Sequence, residues 1–264
     1  MEPILKVQTL TMDFGGLRAL NRVSLDIRKG EIVALIGPNG AGKTTFFNCI
    51  TGIYTPTHGD IFITPPEKPR LRINGMKANK VTEKGLARTF QNIRLFPNMT
   101  ALENVMIGRH VRTRSGILGA IFRPPSVRRE ERETAEYCYA LLKKVGLSAE
   151  VNELAKNLSY GAQRRLEIAR AMATDPFLLL LDEPAAGMNP SETLELDQLI
   201  RKIRDEDGIS ILLIEHDMKL VMNISERIFV MDYGSKIAEG APMDIKNNPL
   251  VIKAYLGEES HADA

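Results

Sequence analysis

The sequence predicts an α/β fold, a mainly parallel sheet with a helical lobe inserted into it. Three runs, residues 32–36, 177–181 and 209–214, are apolar throughout except for Ser210 and have the length of strands. That is the pattern of strands covered on both sides within a parallel sheet. From Pro97 to about Gly146 the apolar residues change to helical spacing, as in residues 100–105 and the amphipathic stretch 128–145.

Taken in order, residues 4–7, 23–27 and 32–36 read as short strands separated by Gly-containing turns. Thr64-Pro65-Pro66-Glu67-Lys68-Pro69-Arg70 is excluded from a central strand, because proline has no N–H to give to a ladder. It is expected to be a surface hairpin tip. Gly116, Gly119, Pro124 and Pro125 break any single long helix across 112–127, leaving a loop or two short helices. There is no internal repeat and no long low-complexity segment.

With 264 residues, 44% of them apolar and 26% charged, the chain can bury a full core as one large domain or two interleaved lobes. A net charge of +2 gives no global field that would draw nucleic acid or an anionic membrane as the main partner. Cys49 and Cys138 have neither metal-ligand spacing nor the density of a disulfide framework, so a reducing cytoplasm is the expected setting. The first seven residues carry Glu2 and Lys6 where a secretory peptide needs apolar residues. No apolar run approaches the ~20 residues of a membrane helix. If the protein works at a membrane, other chains must cross it.

Gly37-Pro38-Asn39-Gly40-Ala41-Gly42-Lys43-Thr44 follows the strand 32–36 and precedes a helix beginning near Thr44-Thr45. In a chain this long, a chance match to Gly-x4-Gly-Lys-[Ser/Thr] is roughly a one-in-a-hundred event, and the strand-to-helix context makes it rarer. Such a loop lets backbone N–H groups and a helix N-terminus converge on a phosphate. Lys43 is expected to reach the β- and γ-phosphates and the Thr44 hydroxyl to bind magnesium.

Two further apolar runs end in chemistry. Residues 177–181 lead into Asp182-Glu183-Pro184, and residues 209–214 into Glu215-His216-Asp217. Ligands of open parallel sheets bind outside the carboxyl ends of the strands. Adjacent strand residues point in different directions, so Asp182 can serve a metal while Glu183 faces an attacking water as general base. His216 lies at the exit of the next strand.

With these residues in place, the chain resembles the ATP-binding subunits of ABC transporters across nearly its whole length. Leu158-Ser159-Tyr160-Gly161-Ala162-Gln163-Arg164-Arg165 is similar to the family signature LSGGQ-x-x-R, and Gln91 sits at the Q-loop position. Phe14 resembles the aromatic that stacks on adenine, 186–189 the D-loop, and His216 the switch histidine. The resemblance implies a P-loop NTPase core with an N-terminal antiparallel β subdomain and an inserted α-helical subdomain. The core would span 1–92 and 157–240, the helical subdomain 93–156, and a C-terminal helical extension and tail 241–264. Glu183, His216 and Gln91 would be catalytic; Thr44, Gln91 and Asp182 would hold Mg2+. ATP would be bound by Phe14, Gly37, Asn39, Gly40, Ala41, Gly42, Lys43, Thr44 and Thr45, and in trans by Ser159 and Gly161 of a second copy. Three positions depart from the pattern: Tyr160 stands for a glycine, Ala162 for a glutamine and Asn189 for an aspartate.

Local runs at 88–96, 158–170, 184–190, 214–222 and 248–257 narrow the resemblance to importers of branched-chain amino acids. Urea or amide importers and the lipopolysaccharide exporter have similar ATPases. Non-transport ABC ATPases acting on nucleic acid or ribosomes carry coiled coils, zinc motifs or a second ATPase domain, none of which this sequence has. The implied partners are a second identical or homologous ATP-binding subunit, two membrane permeases and, indirectly, an extracytoplasmic solute-binding protein, with no nucleic acid. The chain would sit in the cytoplasm, peripheral on the inner face of the membrane. Ile93, Leu95 and Phe96 read either as a docking patch for a permease or as core. The seven arginines from Arg109 to Arg132 read either as a solvated, ion-paired helix or as a contact with lipid headgroups or a membrane subunit.

Overall fold

The computed structural model describes residues 2–113 and 124–262, with side chains through Tyr255. Most of the expected break across 112–127 lies outside the described residues. Of its flanks, His110–Arg112 forms a single 3₁₀ turn and Pro124 caps the next helix.

Elements are numbered in chain order. β1 (Leu5–Phe14), β2 (Leu17–Ile27), β4 (His58–Ile63) and β5 (Leu71–Arg72) form an antiparallel sheet in the order β2-β1-β4-β5. β1 and β2 are longer than the sequence patterns suggested because polar outward residues keep pairing through a register shift near Thr9. Thr9 has φ 46°, and Gly59 admits it closely: a Cβ on Gly59 would lie 2.5 Å from the Thr9 carbonyl. β4 and β5 pair Ile63 with Leu71, so the Pro-rich 64–70 stretch is their connection, exposed from residue 66 to 70.

β3 (Ile32–Ile36), β6 (Leu86–Arg88), β7 (Leu178–Asp182), β8 (Ser210–Ile214) and β9 (Arg227–Asp232) are parallel. β10 (Ser235–Gly240) closes one edge antiparallel, in the order β10-β9-β3-β8-β7-β6. All residues of β3, β7 and β8 are buried. Their alternation divides two cores: Ile32, Ala34, Leu179, Leu181, Ile211 and Leu213 face one, and Val33, Leu35, Leu178, Leu180, Leu212 and Ile214 the other. The continuous apolar runs exist because each strand must fill both.

The second core is closed by α1 (Lys43–Ile50), through Phe46, Phe47 and Ile50, and by the antiparallel sheet. The short α2 (Ala78–Glu83) leads into β6. The first core is closed by α3 (Ala101–Arg109), α4 (Pro125–Lys144), α5 (Tyr160–Met172), α6 (Pro190–Asp207) and α7 (Met218–Ile224). Thr100 and Glu103 form a capping box that starts α3, and Gly108 brings α3 against the α5 backbone, where a Cβ would lie 2.2 Å from the Arg170 carbonyl. α8 (Pro242–Lys246) and α9 (Pro249–Ala262) end the described chain. No helix among the described residues is long and apolar enough to cross a membrane.

Candidate nucleotide site

The loop after β3 is held open by its neighbours. Gly37 has φ 151°, and a Cβ there would lie 2.1 Å from the Met231 carbonyl of β9. Gly42, φ 96°, stands at the N-cap of α1 with no side-chain cap, so the N–H groups of the first turn face the loop. Lys43 is buried and donates from Nζ to the carbonyls of Gly37 (2.5 Å) and Pro38 (2.8 Å). These features make a concave wall of N–H groups beside an ammonium, the chemistry of a phosphate cradle. It opens on a cleft of about 580 Å³ whose lining includes Phe14, Asn39, Gly40, Ala41, Gly42, Lys43, Thr44, Thr45, Gln91, Glu183 and His216.

Three residues separated by up to 125 positions meet over that cradle. Gln91 Nε2 donates to Glu183 Oε2 at 2.7 Å, and His216 Nε2 lies 3.1 Å from Glu183 Oε1. Glu183 is held in the left-handed region at φ 49°, with its N–H bonded to the Ile214 carbonyl of β8. Strain of this kind at a non-glycine residue marks a position fixed for its side chain. Asp182, one residue earlier, faces elsewhere and is buried against Arg88.

The oxygen donors expected to hold magnesium are the Thr44 hydroxyl, the Gln91 amide and the Asp182 carboxylate. One carboxylate with neutral oxygens suits a hard cation that completes its shell with phosphate and water oxygens. Among the described residues no group of three or more His, Cys, Asp or Glu side chains could hold a metal alone. Phe14 is 42% exposed at the cleft and meets Tyr54 edge-on at 5.3 Å between centroids.

Ser159 and Gly161 are not in this cleft. Ser159 caps α5, its hydroxyl accepting from the Ala162 N–H at 3.3 Å. The departures at Tyr160 and Asn189 have structural roles. The Tyr160 hydroxyl accepts from Arg164 Nη2 at 3.1 Å, and its ring lies under Gly187, where a Cβ would be 3.2 Å from the ring. Asn189 caps α6, accepting from the N–H groups of Ser191 and Glu192, a task it performs as well as aspartate. Of the apolar residues after Gln91, Leu95 packs on the core, Ile93 is half-buried and Phe96 is exposed.

Four residues within the sequence patterns have supporting roles that the patterns did not assign. Arg88 binds Asp182 and Asn48. Arg164, fully buried, donates to the carbonyls of Phe90 (2.6 Å) and Gln91 (2.7 Å) and to Glu167 (3.0 Å). Glu215, buried after β8, accepts from the N–H groups of Ala185, His216 and Asp217, and burial raises its carboxyl above the usual range. A usable signal was present for the pair Arg164 and Glu167, which place opposite charges three apart on the apolar face of a helix.

A phosphate loop, a glutamate bracketed by glutamine and histidine above it, and a second capped helix start on one α/β scaffold define a cassette ATPase. The chain belongs to the ABC transporter family: the family model described as ABC transporter matches residues 20–186. A second model, described as branched-chain amino acid ATP-binding cassette transporter, matches residues 235–261. The chain is 50% identical to the high-affinity branched-chain amino acid transport ATP-binding protein LivG of Salmonella typhimurium, covering 97% of this chain and 99% of that one. It is 52% identical to BraF of Pseudomonas aeruginosa, described in the same words, over 97% and 98%. Among solved structures it is similar to the ADP conformation of an ATP-binding cassette of an ABC transporter, with TM-score 0.83, 31% identity and coverage of 97% and 100%. A dimeric cassette in a post-hydrolysis state bound to ADP and phosphate matches with TM-score 0.75, 28% identity and coverage of 90% and 98%.

Proposed function

We propose that this chain is the motor subunit of an importer for branched-chain amino acids, hydrolysing ATP between two copies or homologues. The observation that carries the hydrolytic part is the Gln91–Glu183–His216 cluster over the phosphate loop. The solute rests on the relatives, which are named as branched-chain amino acid transport ATP-binding proteins, and on the C-terminal match.

In this reading Lys43 and the loop N–H groups bind the β- and γ-phosphates, and Phe14 takes the adenine. Magnesium held by Thr44, Gln91 and Asp182 would neutralise phosphate charge. Glu183 takes the proton of the attacking water; Gln91 and His216 fix its carboxylate from either side. Ser159 and Gly161 of the second subunit close the site, so two ATPs lie in one symmetric head-to-tail pair. Residues 1–92 and 157–240 form the core, 93–156 the helical subdomain and 241–264 the C-terminal extension. Two permease subunits dock on the inner face of the membrane and turn closure and reopening into alternating access, with solute delivered by an extracytoplasmic binding protein.

Glu183→Gln keeps the side chain's shape and removes the base, so it is expected to accumulate an ATP-bound dimer. Light scattering in millimolar ATP checks this; a variant that stays monomeric sinks the shared-site reading. The solute is tested by titrating the extracytoplasmic binding protein that delivers to this transporter with leucine, isoleucine and valine.

A further inference from the structure

β9 and β10 are joined by the two residues Tyr233 and Gly234, with Asp232 paired to Ser235. Both turn residues have positive φ, 40° and 74°, the requirement of a type I′ hairpin. Glycine is needed at the second place, since a Cβ on Gly234 would lie 2.7 Å from the Ala19 carbonyl. At the first place such turns favour Asn, Asp or Gly, and a bulky aromatic is disfavoured there. Tyr233 is nevertheless there, 88% exposed, more than any other exposed large hydrophobic side chain among the described residues.

The turn is tied to the phosphate loop. Gly234 N–H donates to the Ala41 carbonyl at 3.1 Å, and its own carbonyl accepts from Asn21 N–H at 2.7 Å. Tyr233 therefore keeps a fixed place relative to the cradle, and it lines the same cleft as Phe14 and Lys43. A strained backbone, an unburied ring and a position at the mouth of a nucleotide cleft have one common explanation, a ligand with a flat apolar face.

We propose that Tyr233 is a second aromatic contact for the nucleoside of the bound triphosphate, acting with Phe14 to favour nucleotides over bare polyphosphate. This rests on the nucleotide site proposed above. The test is calorimetric titration of the full chain with ATP and with inorganic tripolyphosphate, each with magnesium, for wild type, Tyr233→Asn and Tyr233→Phe. Asparagine suits the positive φ, so Tyr233→Asn is expected to melt no lower than wild type. It is expected to weaken ATP about fivefold or more while tripolyphosphate stays within about twofold, and Tyr233→Phe is expected to bind both like wild type. ATP affinity within about twofold of wild type in Tyr233→Asn, or equal losses for both ligands, overturns the proposal. A wild-type protein that binds neither ligand instead overturns the nucleotide site itself.

Discussion

Arg88 Nη2 donates to Asp182 Oδ2 at 2.6 Å, and both side chains are buried at the carboxyl ends of neighbouring parallel strands. The same guanidinium reaches Asn48 on α1 at 2.6 Å and lies over the rings of Phe47 and Phe90. It thus joins the proposed metal carboxylate to the helix that begins at the phosphate loop. A buried pair is costly to break from one side, because the remaining charge has no compensation.

Asp182→Ala is therefore expected to cost about 3 kcal/mol of stability. Pairing Asp182→Leu with Arg88→Met is expected to be less destabilising than Asp182→Ala alone, since no orphaned charge remains. Urea unfolding midpoints of the three proteins decide it; equal losses would mean the ion pair is energetically idle.

His216 lies 3.1 Å from one oxygen of Glu183 while Gln91 holds the other, and neither contact is part of the phosphate cradle. His216→Ala should consequently lower kcat about 100-fold or more while changing ATP affinity less than about threefold. A parallel loss in both quantities would instead mark the histidine as part of the binding surface.

Cys49 and Cys138 are both buried, and burial pushes the thiols up to about 12 and about 11. The reactive thiolate is then below about one part in 1,000 at pH 8. Neither cysteine is expected to react with a disulfide reagent such as DTNB in the native protein, and both should react at once in guanidinium. Raising the pH to 9 should leave the native protein inert, because both groups still titrate well above it.

Much of the cleft was legible because its residues stand at the ends of patterns. Lys43 and Thr44 close a glycine loop, and Glu183 and His216 follow the apolar runs that became β7 and β8. What the patterns could not reveal depends on spatial meetings between distant segments. Arg88 ends a strand of only three residues, too short for a periodic signal, and its partner lies 94 positions away. The positive φ of Glu183 occurs where its N–H bonds to the Ile214 carbonyl of the neighbouring strand, a tertiary contact. Tyr160 read as a lost glycine, since its hydrogen bond from Arg164 and its packing under Gly187 form only once α5 is folded against its neighbours.

The Arg164 network yields the last expectation. Its guanidinium spans the carbonyls of Phe90 and Gln91, the carboxylate of Glu167 and the hydroxyl of Tyr160, while Glu167 accepts from the N–H groups of Phe90 and Arg94. The start of α5 thereby holds the backbone of the segment that carries Gln91. Burial raises the Glu167 carboxyl above its ordinary 4.5, and the Arg164 charge opposes that rise. In Arg164→Met the largest opposing influence is gone, leaving Arg170 and the Phe90 and Arg94 N–H groups, and the folded protein holds the proton still more strongly. A carboxyl raised in the folded state favours folding at low pH, and that contribution is lost as pH rises through its folded value. The stability deficit of Arg164→Met is therefore expected to be smallest near pH 5 and to grow toward pH 8, where it should reach about 3 kcal/mol. Tyr160→Phe removes one hydrogen bond and should cost only about 1 kcal/mol, with no such pH dependence. Denaturant unfolding at the two pH values measures both, and amide exchange at residues 90–94 should accelerate in Arg164→Met. A deficit independent of pH would mean that Glu167 does not depend on Arg164 for its charge.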